Sequence, residues 1–362
     1  MNAVLLIGAG LAGTRAAETL RTEGYDGNVT LIGDEPVAPY ERPALSKQYL
    51  EGTRGERSLL LRQESYWADR AIELILGDRV VGLDPVARTA RTRGGRTLHF
   101  TEALLATGAR PRRLPLDRPS GVHELRTLAD ARALREDLIP GARLVVVGGG
   151  FVGAEVASTA RQLGVEVTIL EAAAAPVARV LGEKVGLLLA EHWRGHGVDV
   201  RLRTGIAHIR ADAGGRVSSV LLTDGTDLRA DAVLIAVGVE PVRELVPERP
   251  AVHIRAAGDV VGPGHWTAAS WDGAAAARRV LRLSPPAPQP SYVWSDQFGL
   301  RLQIVGTPEP HHALEVDGDA GSFVVRYLDH DGATGAALFA NRPAEAAGLR
   351  RRLADETVAL AA

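Results

Sequence analysis

AVLLIGAGLAGTRAAETLRTEGYDGNVTLIGDE, residues 3–35, runs from a short continuous apolar stretch through a glycine cluster, a helical segment and a turn at Asp26-Gly27 into a second apolar stretch. That order predicts strand, helix, strand. Gly8, Gly10 and Gly13 fit G-x-G-x-x-G. The first glycine permits a tight turn, the second lets the backbone approach a pyrophosphate, and the third lets helix close on strand. The helix N-terminus beyond them offers unpaired N–H donors and a partial positive charge to phosphates. Asp34 and Glu35 stand just past the second apolar stretch. A carboxylate about 20 residues beyond the glycines can accept ribose hydroxyls.

The same order returns at residues 143–171, RLVVVGGGFVGAEVASTARQLGVEVTILE. Gly148, Gly150 and Gly153 are the triplet, Phe151 and Val152 open the helix, and Glu171 closes the second strand. One glycine triplet alone is more often a plain turn. Two complete copies predict two dinucleotide sites, with a flavin and a nicotinamide nucleotide brought together for hydride transfer. After Glu171 come four alanines, Ala172 to Ala175, with no adjacent arginine to receive a 2′-phosphate. The second site is therefore expected to prefer NADH over NADPH, Arg179 being the nearest basic residue.

Composition removes other classes. The 362 residues suffice for two or three domains. Lys+Arg 42 nearly cancels Asp+Glu 44, so no global field draws the chain toward nucleic acid or a membrane. The first apolar stretch, Ala3 to Ile7, lacks a basic flank and signal-peptide length, and other apolar runs fall short of the roughly 20 residues that span a bilayer. A cytoplasmic protein is expected. With Cys 0, no dithiol, catalytic thiol or Cys-ligated metal can form in this sequence. His192 and His196, four apart around Trp193, have helical spacing for a metal but no evident third ligand, so no metal site is expected. Ser46 and Ser158 lack a nucleophile-elbow context, and Trp67, Trp193 and Trp266 read as packing residues.

Between and after the two glycine units lie APYERPALSKQYLEG (38–52), LLATGARPR (104–112), IAVGVEP (235–241), AAGDV (256–260) and YVWSDQFGLRLQIVG (292–306). In this order the segments resemble the FAD-dependent ferredoxin reductases of oxygenase systems, the putidaredoxin reductase and biphenyl dioxygenase reductase type. P-x-L-S-K and W-S-D-Q carry the specificity, because neither is a general feature of dinucleotide folds. The resemblance implies an α/β chain with two Rossmann-like dinucleotide-binding domains in a glutathione-reductase-like arrangement, plus a small C-terminal α/β domain. The FAD domain would comprise residues 1–110 and 239–284, the NAD domain 111–238, and the C-terminal domain 285–362.

Carried over residue by residue, the resemblance assigns Ala12, Asp34, Lys47, Val80, Arg126, Asp259 and Trp271 to FAD. Asp259 follows Gly258 in the segment whose acid binds the ribityl chain. Ala106-Thr107-Gly108 and Val237-Gly238 resemble the two crossings between the FAD and NAD domains. Trp271 would lie by the isoalloxazine, with Trp294 approaching from the partner's side. The family's lysine pairs with the glutamate after the second triplet, here Lys47 with Glu155. Only two lysines occur, Lys47 and Lys184, against 40 arginines, so an ammonium kept inside the motif stands out. Beside a flavin it could stabilise negative charge developing on the reduced ring. The plainer alternative is a snorkelling lysine at a helix start, with Glu155 a polar residue favoured by a helix N-terminus.

The chain also departs from the family. Between Pro241 and Gly258 the family has a longer passage with a G-I-x-V-D strand and an R-T-S turn, and its R-I-E-S reads Thr267, Ala268, Ala269, Ser270 here. Arg110, Arg112 and Arg113 form a basic knot that could meet an acidic ferredoxin or be solvated linker charge. The leading expectation is an NADH-dependent, FAD-containing reductase passing electrons singly to a 2Fe-2S ferredoxin that serves a cytochrome P450 or Rieske oxygenase, working as monomer or homodimer. A reductase or oxidase of a small acceptor such as a quinone, nitro compound or oxygen, and a non-catalytic NADH-responsive flavoprotein, stand as alternatives.

Overall fold

The structure, a computed structural model, describes residues 2–262, 264–309 and 313–361. The chain divides into two compact units, one of Met1–Glu41, Glu56–Arg110 and Val239–Ala287, the other of Arg42–Gly55, Pro111–Gly238 and Pro288–Ala362.

In the first unit, five parallel strands stand in the order Ile254–Ala256, Glu102–Leu105, Ala3–Ile7, Asn28–Ile32, Ile72–Ile75. The central strand is apolar without alternation because both its faces are covered. Val4 and Leu6 pack with Ala16, Leu20 and Ala276 from the helices Leu11–Thr22 and Trp266–Val280. Leu5 and Ile7 pack on the other side with Val80, Ala90 and Phe100 of an antiparallel region. The two helices approach so closely that a Cβ on Gly273 would lie 2.2 Å from the Ala12 carbonyl oxygen. The shortened return segment still supplies the outer strand of the sheet. It is fastened at its start, where Thr107 donates to the Val242 carbonyl at 2.7 Å and Arg243 donates to the carbonyls of Val260 and Val261.

The second unit repeats the design. Its parallel sheet runs Asp199–Leu202, Glu166–Glu171, Arg143–Val147, Ala232–Ile235, Val122–His123, and the helix Phe151–Gln162 follows the second glycine triplet. The same unit holds a five-stranded antiparallel sheet, Tyr292–Gln297, Leu300–Val305, Thr334–Ala340, Ser322–Leu328, Ala313–Asp319, and the helix Pro343–Ala361. One hydrophobic core joins Val156 and Ala160 of the glycine-loop helix to Val293, Leu300 and Leu302 of that sheet. Compactness thus groups residues 288–362 with 111–238, and residues 42–55, read from sequence as FAD domain, with both. Leu50 in this core and Tyr49 under the Arg135 guanidinium, 5.6 Å from the ring centre, give the physical reason. The boundary between units at Ala287 and Pro288 falls inside the proline-rich stretch 284–290. Among the described residues no helix is long and apolar enough to cross a membrane.

Candidate functional site

Each glycine triplet is built for a phosphate, and its three members are needed for different reasons. Gly8 has φ +121°, and a Cβ there would sit 2.0 Å from the Ala106 carbonyl oxygen, so the loop is pressed against the first crossing segment. A Cβ on Gly13 would meet the Gly8 carbonyl at 2.1 Å, while one on Gly10 would meet nothing within 4 Å. Space is therefore left at the one position where a ligand must come close to backbone N–H groups. The second unit repeats this. Gly148 has φ +105°, and a Cβ there would lie 2.6 Å from the Ala236 carbonyl oxygen; one on Gly153 would lie 2.3 Å from the Gly148 carbonyl oxygen, and one on Gly150 would have only the Ala236 carbonyl at 3.9 Å.

The acids that face the two loops differ. Gly8 N–H donates to the Ile32 carbonyl and Gly148 N–H to the Leu170 carbonyl, so Gly33 is the counterpart of Glu171. The Glu171 carboxylate accepts from the N–H groups of Gly149 and Ala173, both at 2.8 Å, which holds it over the second loop. In the first unit a Cβ on Gly33 would lie 2.6 Å from the Ala9 Cβ, so no side chain fits there. Ala9 with Gly33 thus replaces Gly149 with Glu171, and the first unit's acids come one and two residues later. Asp34 is exposed, 3.6 Å from Arg79, and Glu35 accepts from the Tyr40 hydroxyl at 2.6 Å. Both loops have the open backbone face that a dinucleotide's phosphates require.

Glu171→Ala is expected to reduce the preference for NADH over NADPH by about tenfold, because a hydrogen bond to a charged group contributes about 1.5–3 kcal/mol. Paired kcat/KM measurements with the two nucleotides check this. An unchanged ratio assigns selectivity to another residue.

Beside the first glycine loop, Gly258 has φ +74° and packs against Ala12, and Asp259 follows it in a short 3-10 turn. The turn is held by a residue that the sequence reading missed. Asp272, next to Trp271, accepts from the Gly258 N–H at 3.2 Å. Burial, opposed by that N–H and by Arg279 and supported by the Asp259 charge, raises the Asp272 pKa. A raised carboxylate pKa favours the neutral form in the folded state, so its stabilisation is present at low pH and is lost as pH rises through the folded pKa. Asp272→Asn keeps an acceptor for Gly258 and has no charge to bury. Relative to wild type it is expected to gain stability as pH rises through the carboxylate range toward neutrality, measured as the difference in Tm. The Trp271 indole N–H donates to the Ala287 carbonyl at 3.0 Å.

The second unit contains the polar group that composition singled out. The Lys47 ammonium lies 2.9 Å from Glu155 Oε1, and both side chains are buried, at 8% and 7% exposure. Glu155 stands on the helix Phe151–Gln162, and Lys47 is drawn to it because the Thr159 hydroxyl donates to the Ser46 carbonyl at 2.9 Å. The ammonium also donates to the Pro43 carbonyl at 3.3 Å. Two of its N–H groups thus have protein acceptors.

The remaining predicted residues are distributed as follows. Ala106 and Thr107 back the first loop, and Val237 backs the second, with its N–H 3.3 Å from where a Gly148 Cβ would be. Gly108 and Gly238 have φ +72° and +98°. Val80 is buried in the antiparallel part of the first unit. The Arg126 N–H donates to Asp130, and its carbonyl accepts from Arg42. Phe151 is half-buried, Val152 is exposed, and Trp294 is half-buried and stacked on Tyr292. Arg110 is committed to Glu240 and Glu244, which favours the solvated-linker reading of the basic knot over a ferredoxin contact at this residue. His192 and His196 each use one ring nitrogen on a backbone carbonyl. Trp67 and Trp193 are fully packed.

Comparison with known proteins gives consistent matches. Residues 2–262 match the family described as pyridine nucleotide-disulphide oxidoreductase, and residues 292–362 match the one described as reductase C-terminal. The biphenyl dioxygenase system ferredoxin--NAD(+) reductase component of Paraburkholderia xenovorans is 37% identical over 91% of this chain and 88% of that protein. Putidaredoxin reductase of Pseudomonas putida is 33% identical over 95% and 90%. The crystal structure of the covalent putidaredoxin reductase-putidaredoxin complex superposes with a TM-score of 0.93 at 32% identity, covering 98% of this chain and 93% of that one.

Proposed function

The chain belongs to the pyridine nucleotide-disulphide oxidoreductase family, and we propose that it is an NADH-dependent FAD flavoprotein that reduces a 2Fe-2S ferredoxin serving a cytochrome P450 or Rieske oxygenase. The observation that carries the reading is the pair of complete dinucleotide folds in a chain similar along nearly its whole length to ferredoxin reductases. The family's dithiol chemistry is closed to this sequence, which has no cysteine. FAD, when bound, accepts two electrons from NADH and releases them one at a time.

The protein's own groups bind and orient. The open faces of Gly10 and Gly150 admit the two pyrophosphates, and Glu171 accepts the ribose hydroxyls of NADH. Asp259, held by the turn that Asp272 ties, receives the ribityl chain. Lys47, which the family resemblance assigns to the flavin, supplies a fixed positive charge for negative charge arising on reduction, at little cost in reorganisation because Glu155 already holds it. The same resemblance assigns Trp271 a place by the isoalloxazine and Trp294 an approach from the partner's side. The place of work is the cytoplasm, where NADH is made and consumed.

Ferredoxin-dependent cytochrome c reduction tests the assignment. Addition of a 2Fe-2S ferredoxin is expected to raise the NADH-driven rate well above the ferredoxin-free rate. Equal rates would transfer the assignment to a small acceptor.

A further inference from the structure

Glu155 is held from three sides, and only one of them is Lys47. Oε1 accepts from Lys47 Nζ at 2.9 Å and from the Ser295 hydroxyl at 2.6 Å, and Oε2 accepts from the Ser46 hydroxyl at 2.5 Å. Ser46 belongs to the segment Arg42–Gly55, Glu155 to the glycine-loop helix, and Ser295 to the first strand of the antiparallel sheet. All three residues are buried, Ser295 completely. The direction of the hydroxyl protons follows from chemistry: an ionised carboxylate only accepts, so each serine must donate to it. The Gln297 amide donates to Ser295 Oγ at 3.1 Å, occupying a lone pair and leaving the serine proton for Glu155.

We propose that Ser46 and Ser295 are positioning residues that lock the Glu155 carboxylate, and through it Lys47, in place, so that the antiparallel sheet is tied to the lysine by a hydrogen-bonded chain Gln297–Ser295–Glu155–Lys47. The proposal rests on the reading of Lys47 as a flavin-facing charge. Its geometric basis stands apart from that reading: a carboxylate with a single partner can rotate about its last bonds, whereas one held on both oxygens from separate elements cannot. Among the described residues Ser295 makes its side-chain hydrogen bonds with Glu155 and Gln297 and none with residues 42–55, so any effect it exerts on Lys47 passes through Glu155.

The test uses the full-length chain as purified with its flavin, with Ser295→Ala, Ser46→Ala, Glu155→Ala and the double variant Ser295→Ala/Glu155→Ala. The first readout is amide hydrogen exchange of the peptide covering residues 42–55, which is independent of turnover. Ser295→Ala is expected to speed exchange there by about tenfold, the scale of one lost hydrogen bond to a charged group, and to add nothing in the Glu155→Ala background. The second is anaerobic flavin bleaching by NADH. Ser295→Ala and Ser46→Ala are each expected to lower the limiting rate about five- to tenfold while the NADH Kd changes less than about twofold.

Unchanged exchange of residues 42–55 in Ser295→Ala would overturn the proposal. So would equal loss of rate from Ser295→Ala in the wild-type and Glu155→Ala backgrounds, which would show that the serine acts independently of the carboxylate. Both readouts precede any electron acceptor, so failure of ferredoxin to reoxidise the flavin would refute the assigned acceptor and leave this proposal standing.

Discussion

Glu155→Ala is expected to destabilise the protein by about 3–5 kcal/mol, the range for breaking a buried ion pair by removing one partner. For a unit of this size that corresponds to a fall in Tm of about 6–20 °C. The reason lies in what the substitution leaves behind. The Lys47 ammonium, at 8% exposure, keeps only the Pro43 carbonyl, the Ser295 hydroxyl loses its acceptor, and the Ser46 hydroxyl keeps only the long contact to the Pro43 carbonyl. Removing both charges together should be milder. Lys47→Met with Glu155→Leu replaces the pair by apolar side chains of similar volume, and part of the lost Tm should return, because a buried ion pair often breaks even against such a replacement. Flavin reduction should not return with it, since no charge remains at Lys47. Thermal unfolding followed by circular dichroism, beside anaerobic bleaching by NADH, separates the two effects. A Glu155→Ala variant with wild-type Tm would contradict the description of the pair as buried and mutually dependent.

Gly10→Ala and Gly8→Ala should fail in different ways, although both change one glycine of the same motif. At Gly10 a Cβ meets no protein atom within 4 Å, so the variant should fold with wild-type circular dichroism. The methyl occupies the space a phosphate needs, and FAD affinity should fall on the order of 100-fold, as expected when one or two charge-assisted hydrogen bonds are lost. At Gly8 the backbone has φ +121° and the Cβ would lie 2.0 Å from the Ala106 carbonyl, so the loop, the first crossing segment or both must move. That variant should be recovered unfolded or aggregated. Flavin titration of apoprotein measures the first outcome and soluble yield the second. If Gly10→Ala bound FAD with unchanged affinity, the open face of the first loop would not be the phosphate site.

Much of this architecture is legible in the sequence because its determinants are local. The glycine triplets, the apolar runs beside them and the terminal acid of the second unit are each contiguous, and the strands Asn28–Ile32 and Glu166–Glu171 form where the apolar runs place them. The strand Ile206–Ala211 carries a weak signal, because its sequence, IAHIRA, mixes basic and apolar residues around register shifts. Determinants that depend on distant partners were less visible. The exchange of Ala9 with Gly33 for Gly149 with Glu171 is a packing relation between a loop and the end of a neighbouring strand, and only the strand register exposes it. Asp272 gives no signal of its own, since an acid in an alanine-rich helix usually faces solvent. Ser295 could have been found. In YVWSDQ, residues 292–297, burial alternates, and Ser295 and Gln297 share the inward side with Val293. A serine and a glutamine on the core side of a strand imply a buried polar partner.

The central claim is that this chain moves electrons from NADH through FAD to a ferredoxin. Sequential-mixing anaerobic stopped-flow absorbance tests it most directly: the purified yellow protein is mixed with NADH, then with oxidised 2Fe-2S ferredoxin. Fast bleaching with a long-wavelength charge-transfer band between reduced flavin and NAD is expected, followed by rapid reoxidation on the second mix. Absence of bleaching, or bleaching that several ferredoxins fail to reverse, would contradict it.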